Sequence, residues 1–194
     1  MTILHPFQSN KEGFVIEGHN VFLRSPDFKD WREWSDLRKL NMEYLKPWEP
    51  SWSRYELERS FFVKRVKFFN KLSNKDKAHS FLIFETTNSK LIGEININNI
   101  QRGVVQSCSI GYWISEDKMG LGYMKESIDM LKNFIFNNLK LHRVEAACLP
   151  HNERSLKTLL NSKFEIEGHA KKYLKINGAW EDHVLLSCIN NESI

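Results

Sequence analysis

The sequence predicts one α/β (α+β) domain, a mixed central sheet of about seven strands flanked by about four helices. Three observations carry that expectation. Apolar residues recur at helical spacing through the first third of the chain and switch at His79 to the two-residue period of strands. An antiparallel run of strands in the middle then meets a strand–helix–strand unit, which calls for parallel pairing. Finally, 194 residues are enough for one well-buried core and short for two. The whole chain is therefore expected to be a single domain, with residues 1–12 as a flexible tail.

In chain order, residues 14–17 and 21–24 read as short strands around the turn Gly18-His19-Asn20. Pro26 and Asp27 open a helix that carries Phe28, Trp31, Trp34 and Leu37 to about Leu40. In the segment 44–52, Pro47 and Pro50 break any regular helix. Ser53 with Glu56 three residues later forms a capping box, so a long amphipathic helix is expected to follow, with Leu57, Phe61, Phe62, Val66 and Phe69 on its apolar face. Residues 79–87 and 91–100 read as a hairpin turning at Asn88-Ser89-Lys90, and 107–115 as a third strand. Residues 119–139 read as a helix with Met124, Ile128, Leu131, Ile135 and Leu139 on one face. A buried strand at 142–149 and a short helix at 152–162 come next. Strands at 164–174 and 180–189 flank Asn177-Gly178, a strong hairpin signal.

Composition narrows the function classes. Lys plus Arg number 28 and Asp plus Glu 24, an excess of +4 spread along the chain, and this does not indicate a dedicated nucleic-acid binder. Cys108, Cys148 and Cys188 are odd in number and form no C-x-x-C pair, so reduced core thiols in a cytoplasmic protein are expected rather than a disulfide framework or zinc knuckle. The first residues lack a secretory pattern, and no apolar run reaches the roughly 18 residues of a membrane helix. His151, His169 and His183 do not share metal-ligand spacing, so no metal is expected.

The most informative stretch runs from Ile110 to Met124, where a strand ends, Gly120-Leu121-Gly122 follows, and a long helix begins. The first amides of a helix have no internal partner and sit at its electropositive end. Glycines there let a phosphate approach the backbone. Taken alone, the residues leave two readings open, a phosphate cradle and a plain tight turn. A Walker loop is excluded because no Gly-Lys-Ser/Thr is present, and a dinucleotide fingerprint lacks its third glycine.

The segment Asp117-Lys118-Met119-Gly120-Leu121-Gly122 resembles the acetyl-CoA motif of the GNAT superfamily, Gln/Arg-x-x-Gly-x-Gly/Ala, with Asp117 departing at the first position. Pro150-His151-Asn152-Glu153-Arg154-Ser155 resembles the family's second signature, Asn-x-x-Ser at a helix start. Residues 167–184, Asn99-Ile100-Gln101-Arg102-Gly103 and Tyr44-Leu45-Lys46-Pro47-Trp48-Glu49-Pro50 look like the RimJ-type branch, the ribosomal-protein-alanine N-acetyltransferases. The resemblance extends roughly from Phe14 to Ile189.

This resemblance implies the GNAT fold, with the sheet splayed in its middle, and acetyl-CoA as acyl donor. The donor's pyrophosphate would lie on the segment Lys118, Met119, Gly120, Leu121, Gly122, Tyr123 and Met124. Its pantetheine arm would pair with the backbone of Trp113, Ile114 and Ser115. Asn152 would bond the pantetheine amides and Ser155 would approach the sulfur. Without the resemblance, Asn152 and Ser155 read first as helix caps, the commoner role of Asn and Ser at a helix start.

Acetyl transfer needs a neutral amine, a donor for the developing oxyanion and stabilisation of the leaving thiolate. A protein α-amine has an ordinary pKa near 8, so about a tenth is already neutral at pH 7 and a strong base is unnecessary. The oxyanion donor expected is a backbone amide at Trp113 or Ile114. Ser155 is the candidate donor to the thiolate, since Leu159 occupies the place where many GNAT enzymes carry a tyrosine acid. Glu94 is the candidate base. Alternation turns it away from Ile95 and Ile97, either to solvent, where charged strand residues mostly face, or into an acceptor cleft. Tyr44, Trp48, Glu49 and Trp52 form a candidate acceptor wall, the tryptophans serving equally as anchors to the core, and Tyr173 is a second candidate.

Three functions compete at this point. They are acetylation of a protein N-terminus, with a ribosomal protein's alanine as the implied acceptor; acetylation of a small amine; and non-catalytic binding of acyl-CoA. A monomer or weak homodimer without membrane association is expected.

Overall fold

The computed structural model describes residues 7–10 and 13–191. It is built on one mixed sheet with two layers of helices. The strands are β1 (Phe7–Asn10), β2 (Gly13–Glu17), β3 (Val21–Arg24), β4 (His79–Glu85), β5 (Leu91–Gln101), β6 (Ser107–Ile114), β7 (Arg143–Cys148), β8 (Glu165–Ile176) and β9 (Ala179–Ile189). Their order in the sheet is β1-β2-β3-β4-β5-β6-β7-β9-β8. Every adjacent pair is antiparallel except β6 with β7. The sheet thus has nine strands among the described residues rather than about seven. Part of the difference is β1, which forms where a tail was expected; residues 1–6 and 11–12 of that expected tail lie outside the described residues.

The helices are α1 (Trp31–Leu40), α2 (Met42–Leu45), α3 (Arg59–Ser73), α4 (Tyr123–Asn137) and α5 (Glu153–Asn161). Asp27 caps the 3-10 turn before α1 in a capping box with Asp30. The helix then places Trp34 in a core with Phe62, Val66, Leu82, Phe84 and Trp113. On the other sheet face, α4 buries Ile128, Leu131 and Ile135 against Ile95, Ile97, Val144 and Leu186. Each such aliphatic side chain contributes about 1.5–3 kcal/mol. No helix among the described residues is long and apolar enough to cross a membrane.

Two helix starts differ from the sequence expectation. Only one arm of the Ser53 box forms, Glu56 accepting from the Ser53 amide at 3.4 Å while its own amide bonds the Ser53 carbonyl; it closes a turn, and α3 begins at Arg59. Trp31 Nε1 takes the Leu57 carbonyl at 3.0 Å, and the Phe61 amide bonds Glu58 instead. Similarly, α4 begins at Tyr123, not at Met119. Gly120 and Gly122 hold φ of 75° and 85°, which a right-handed helix does not accommodate. Pro47 does stop regular helix, leaving α2 as one short turn followed by a 3-10 turn over Lys46–Trp48.

Candidate active site

Strands β6 and β7 pair only from Ser107 with Arg143 to Ser109 with Glu145, and beyond that they diverge. The splay leaves one side of β6 free of strand partners from Ile110 onward. Ser115 donates to the Ile92 carbonyl at 2.8 Å. Ladder alternation then turns the Trp113 amide toward β5 and the Ile114 amide into the gap. Of the two backbone donors expected, Ile114 is the one that faces the opening. Ser115 uses both backbone groups, its carbonyl accepting from Lys118, and its side chain bonds Asn41 and Asp117.

Two cavities meet at this gap and share part of their walls. The first, about 650 Å³, lies beside α4 and α5 and is lined by Ile114, Met119, Gly120, Gly122, Tyr123 and Met124 among others. The amides from Gly120 to Lys125 carry no protein hydrogen bond among the described residues, whereas that of Met119 bonds Glu116 at 3.2 Å. Lys118 lines the cavity, but Glu85 holds its ammonium at 3.0 Å and raises its pKa. Leu121 is exposed and lies off the wall. Tyr44 lines this cavity rather than the other one, its hydroxyl donating to Met119 Sδ at 2.9 Å. Burial raises its phenol, with Arg154 opposing.

Asn152 caps α5, accepting from the Ser155 amide at 3.1 Å. Ser155 Oγ lies 2.9 Å from the Tyr112 hydroxyl on β6. Asn152, Ser155 and Tyr112 border both cavities, as do Trp48, Glu49 and Trp113. Leu159 is packed into the core at 1% exposure.

The second cavity, about 610 Å³, lies beneath α1 and α3 and is lined by Glu94, Arg38, Arg65, Trp52 and His183 among others. Glu94 does not face solvent; it is 2% exposed. It accepts from Trp34 Nε1 at 3.1 Å and Asn96 Nδ2 at 2.8 Å, and pairs with Arg65. Burial alone raises the Glu94 carboxyl, but the Arg65 charge and the two hydrogen bonds outweigh it and hold the group below the usual carboxylate range. Glu49 forms a two-bond fork with Arg38, both bonds at 2.8 Å, and also accepts from Trp52 Nε1 at 2.7 Å. The Arg38 guanidinium stacks over Trp52 at 4.1 Å. Trp48 packs against His151. Tyr173 is half exposed and rests edge-on against His183, which forms the wall in its place.

Several wall residues were not singled out from sequence. Tyr112 and His183 are among them, as are Arg65 and the basic rim of Lys125, Arg154 and Lys157. The rim had a local signal, since Arg154 and Lys157 are three apart on α5 and share a face. The others are brought in by tertiary register.

Two cavities that share part of their walls at a split sheet, one of them against a helix start with unpaired amides, can hold two molecules side by side. The chain matches the acetyltransferase (GNAT) domain family over residues 20–165. It is 35% identical over 179 residues to the [ribosomal protein uS5]-alanine N-acetyltransferase of Escherichia coli, covering 92% of each chain. The crystal structure of ribosomal-protein-S5-alanine acetyltransferase from Vibrio fischeri superposes with a TM-score of 0.86 at 32% identity, covering 92% of this chain and 97% of that one. Mycobacterium smegmatis RimJ in complex with CoA-disulfide gives 0.84 at 28% identity, covering 89% and 83%. The chain therefore belongs to the GNAT acetyltransferases, and its resemblance to the ribosomal-protein-alanine branch holds along nearly its whole length.

Proposed function

We propose that the protein transfers the acetyl group of acetyl-CoA to a protein α-amine in the cytoplasm, and that the acceptor is the N-terminal alanine of a ribosomal protein. The observation that carries this reading is the meeting of two cavities at the β6–β7 gap, where the Ile114 amide, Ser155 and Tyr112 stand together. The RimJ–CoA-disulfide complex among the structural neighbours supports the donor, and the uS5-alanine relatives support the acceptor.

On this reading the pyrophosphate binds the amides from Gly120 to Lys125, with Lys125, Arg154 and Lys157 supplying positive charge at the rim. The pantetheine arm occupies the splay as an added strand. The acceptor enters from the side of Glu94, Trp48, Glu49 and Trp52. Its neutral amine attacks the thioester carbonyl, and the Ile114 amide donates to the oxyanion. The C–S bond then breaks with its electron pair on sulfur, where Ser155 donates a hydrogen bond, and the proton lost from nitrogen passes to water. Glu94 is a weak base and acts by attracting and orienting the ammonium and its water.

Mass spectrometry of ribosomal proteins from a strain lacking this gene tests the acceptor. Loss of one 42 Da acetyl mark from an Ala-starting chain is expected; unchanged N-terminal masses overturn it. Thiol release from acetyl-CoA with the matching peptide tests the chemistry, and the absence of release with any amine would leave a binding module.

A further inference from the structure

Two hydroxyls in one hydrogen bond hold a proton to spare. Tyr112 Oη and Ser155 Oγ are 2.9 Å apart, and neither has another hydrogen-bond partner from the protein among the described residues except the bond between them. One O–H lies in the bond, so the other points elsewhere, and both residues border the two cavities. Tyr112 sits on the splayed part of β6 and packs its ring against the α4–α5 core, which fixes its hydroxyl. Ser155 lies in the first turn of α5, held by the Asn152 cap.

We propose that Tyr112 is a positioning residue for the leaving group: its phenol donates to Ser155 Oγ and so turns the serine proton toward the sulfur. This rests on the acetyl-transfer reading above. No proton is passed along the pair. A thiolate is a weaker base than a phenolate or an alkoxide, so full transfer from either oxygen runs uphill. Burial raises the Tyr112 phenol further, against the lowering effect of its Ser155 bond, which keeps the tyrosine a neutral donor. The pair thus stabilises negative charge on sulfur while the C–S electron pair departs, a role in which the core residue Leu159 cannot take part.

The test is a cycle of Tyr112→Phe, Ser155→Ala and the double variant, read in two ways. With acetyl-CoA and an Ala-starting peptide, each single change is expected to lower kcat about tenfold with KM for acetyl-CoA unchanged, the worth of one hydrogen bond to a charged group. The double variant is expected to be no slower than Ser155→Ala, because Tyr112 acts only through Ser155. By calorimetry, the wild-type preference for CoA over desulfo-CoA is expected to fall by a similar factor in each single variant and no further in the double. A tyrosine that merely supports the fold would move both affinities together. Tyr112→Phe with wild-type kcat and preference, or effects that multiply in the double, overturns the proposal. If the wild type acetylates no amine, the functional reading fails, and the CoA against desulfo-CoA comparison still decides the role of Tyr112. Should Tyr112→Phe not fold, a fluorotyrosine at position 112 is a stronger donor and is expected to raise the CoA preference; no change overturns the proposal.

Discussion

Arg38 of α1 and Glu49 of the following loop face one another through two parallel bonds of 2.8 Å, with the guanidinium plane over Trp52. This fork fastens the Trp48–Trp52 loop across the acceptor cavity. Arg38 is 6% exposed and also faces Glu56 at 3.8 Å. Its removal leaves two carboxylates together in a half-buried place. Arg38→Ala is expected to cost about 3 kcal/mol, lowering Tm by roughly 10 °C, and to raise KM for the acceptor more than for acetyl-CoA. Arg38→Lys keeps the charge without the fork and is expected to fall between. Thermal melts and steady-state kinetics check both.

Gly122 holds φ of 85° at the cap of α4, and an added Cβ would meet no atom within 4 Å. Gly122→Ala therefore brings strain without a clash, about 1–2 kcal/mol, and disturbs the amides beside it. Its expected signature is weaker CoA binding by about tenfold, with a smaller effect on the acceptor KM. Calorimetric titration of CoA checks this.

Glu94 is kept low by Arg65 against the pull of its own burial. Arg65→Met removes the largest lowering cause, so desolvation prevails and the carboxyl rises. If the carboxylate is the form that works, the acid limb of the kcat/KM profile is expected to move to higher pH. Glu94→Gln removes the carboxyl's own inflection at low pH, leaves the limb set by the acceptor amine, and lowers kcat/KM at neutral pH. A pH–rate profile of each variant is the measurement.

His79 lies beneath Phe14, Phe81 and Phe134, and burial brings its pKa from 6.5 down to about 4, with Asp76 opposing and Arg102 adding to the fall. Between those values the unfolded chain takes up a proton that the native state refuses. Stability attributable to the neutral imidazole is thus full above pH 6.5 and is lost as pH falls toward 4. The total is roughly 3 kcal/mol. Urea unfolding at pH 7 and pH 5 is expected to show about 2 kcal/mol of this loss in the wild type and less in His79→Phe.

The parts of the site written in local backbone were legible in the sequence. Gly120, Gly122, Asn152 and Ser155 sit in a turn or at a helix start, and each needs only its neighbours to take its place. The hairpin at Asn177-Gly178 and the apolar faces of α3 and α4 were legible for the same reason. Pairings across the fold were not. Tyr112 meets Ser155 from 43 residues away and Arg65 meets Glu94 from 29 away. The rule that charged strand residues face water misplaced Glu94, because nothing near it in sequence announces an arginine arriving from α3. Local signals also misjudged the starts of α3 and α4. In the first case a side chain from α1 claimed a carbonyl the helix needed, and in the second two left-handed glycines refused the helix.

The Asn177 amide of the β8–β9 turn donates to the Glu49 carbonyl at 2.9 Å, joining two segments far apart in the chain over the acceptor chamber. Apart from Trp48 and Glu49, that roof contributes nothing to the donor side. On the proposed reading, changes in the turn or in residues 50–56 alter which amines enter while the groups facing the thioester stay as they are. A lineage built on this frame is free to diversify its clients without relearning its chemistry.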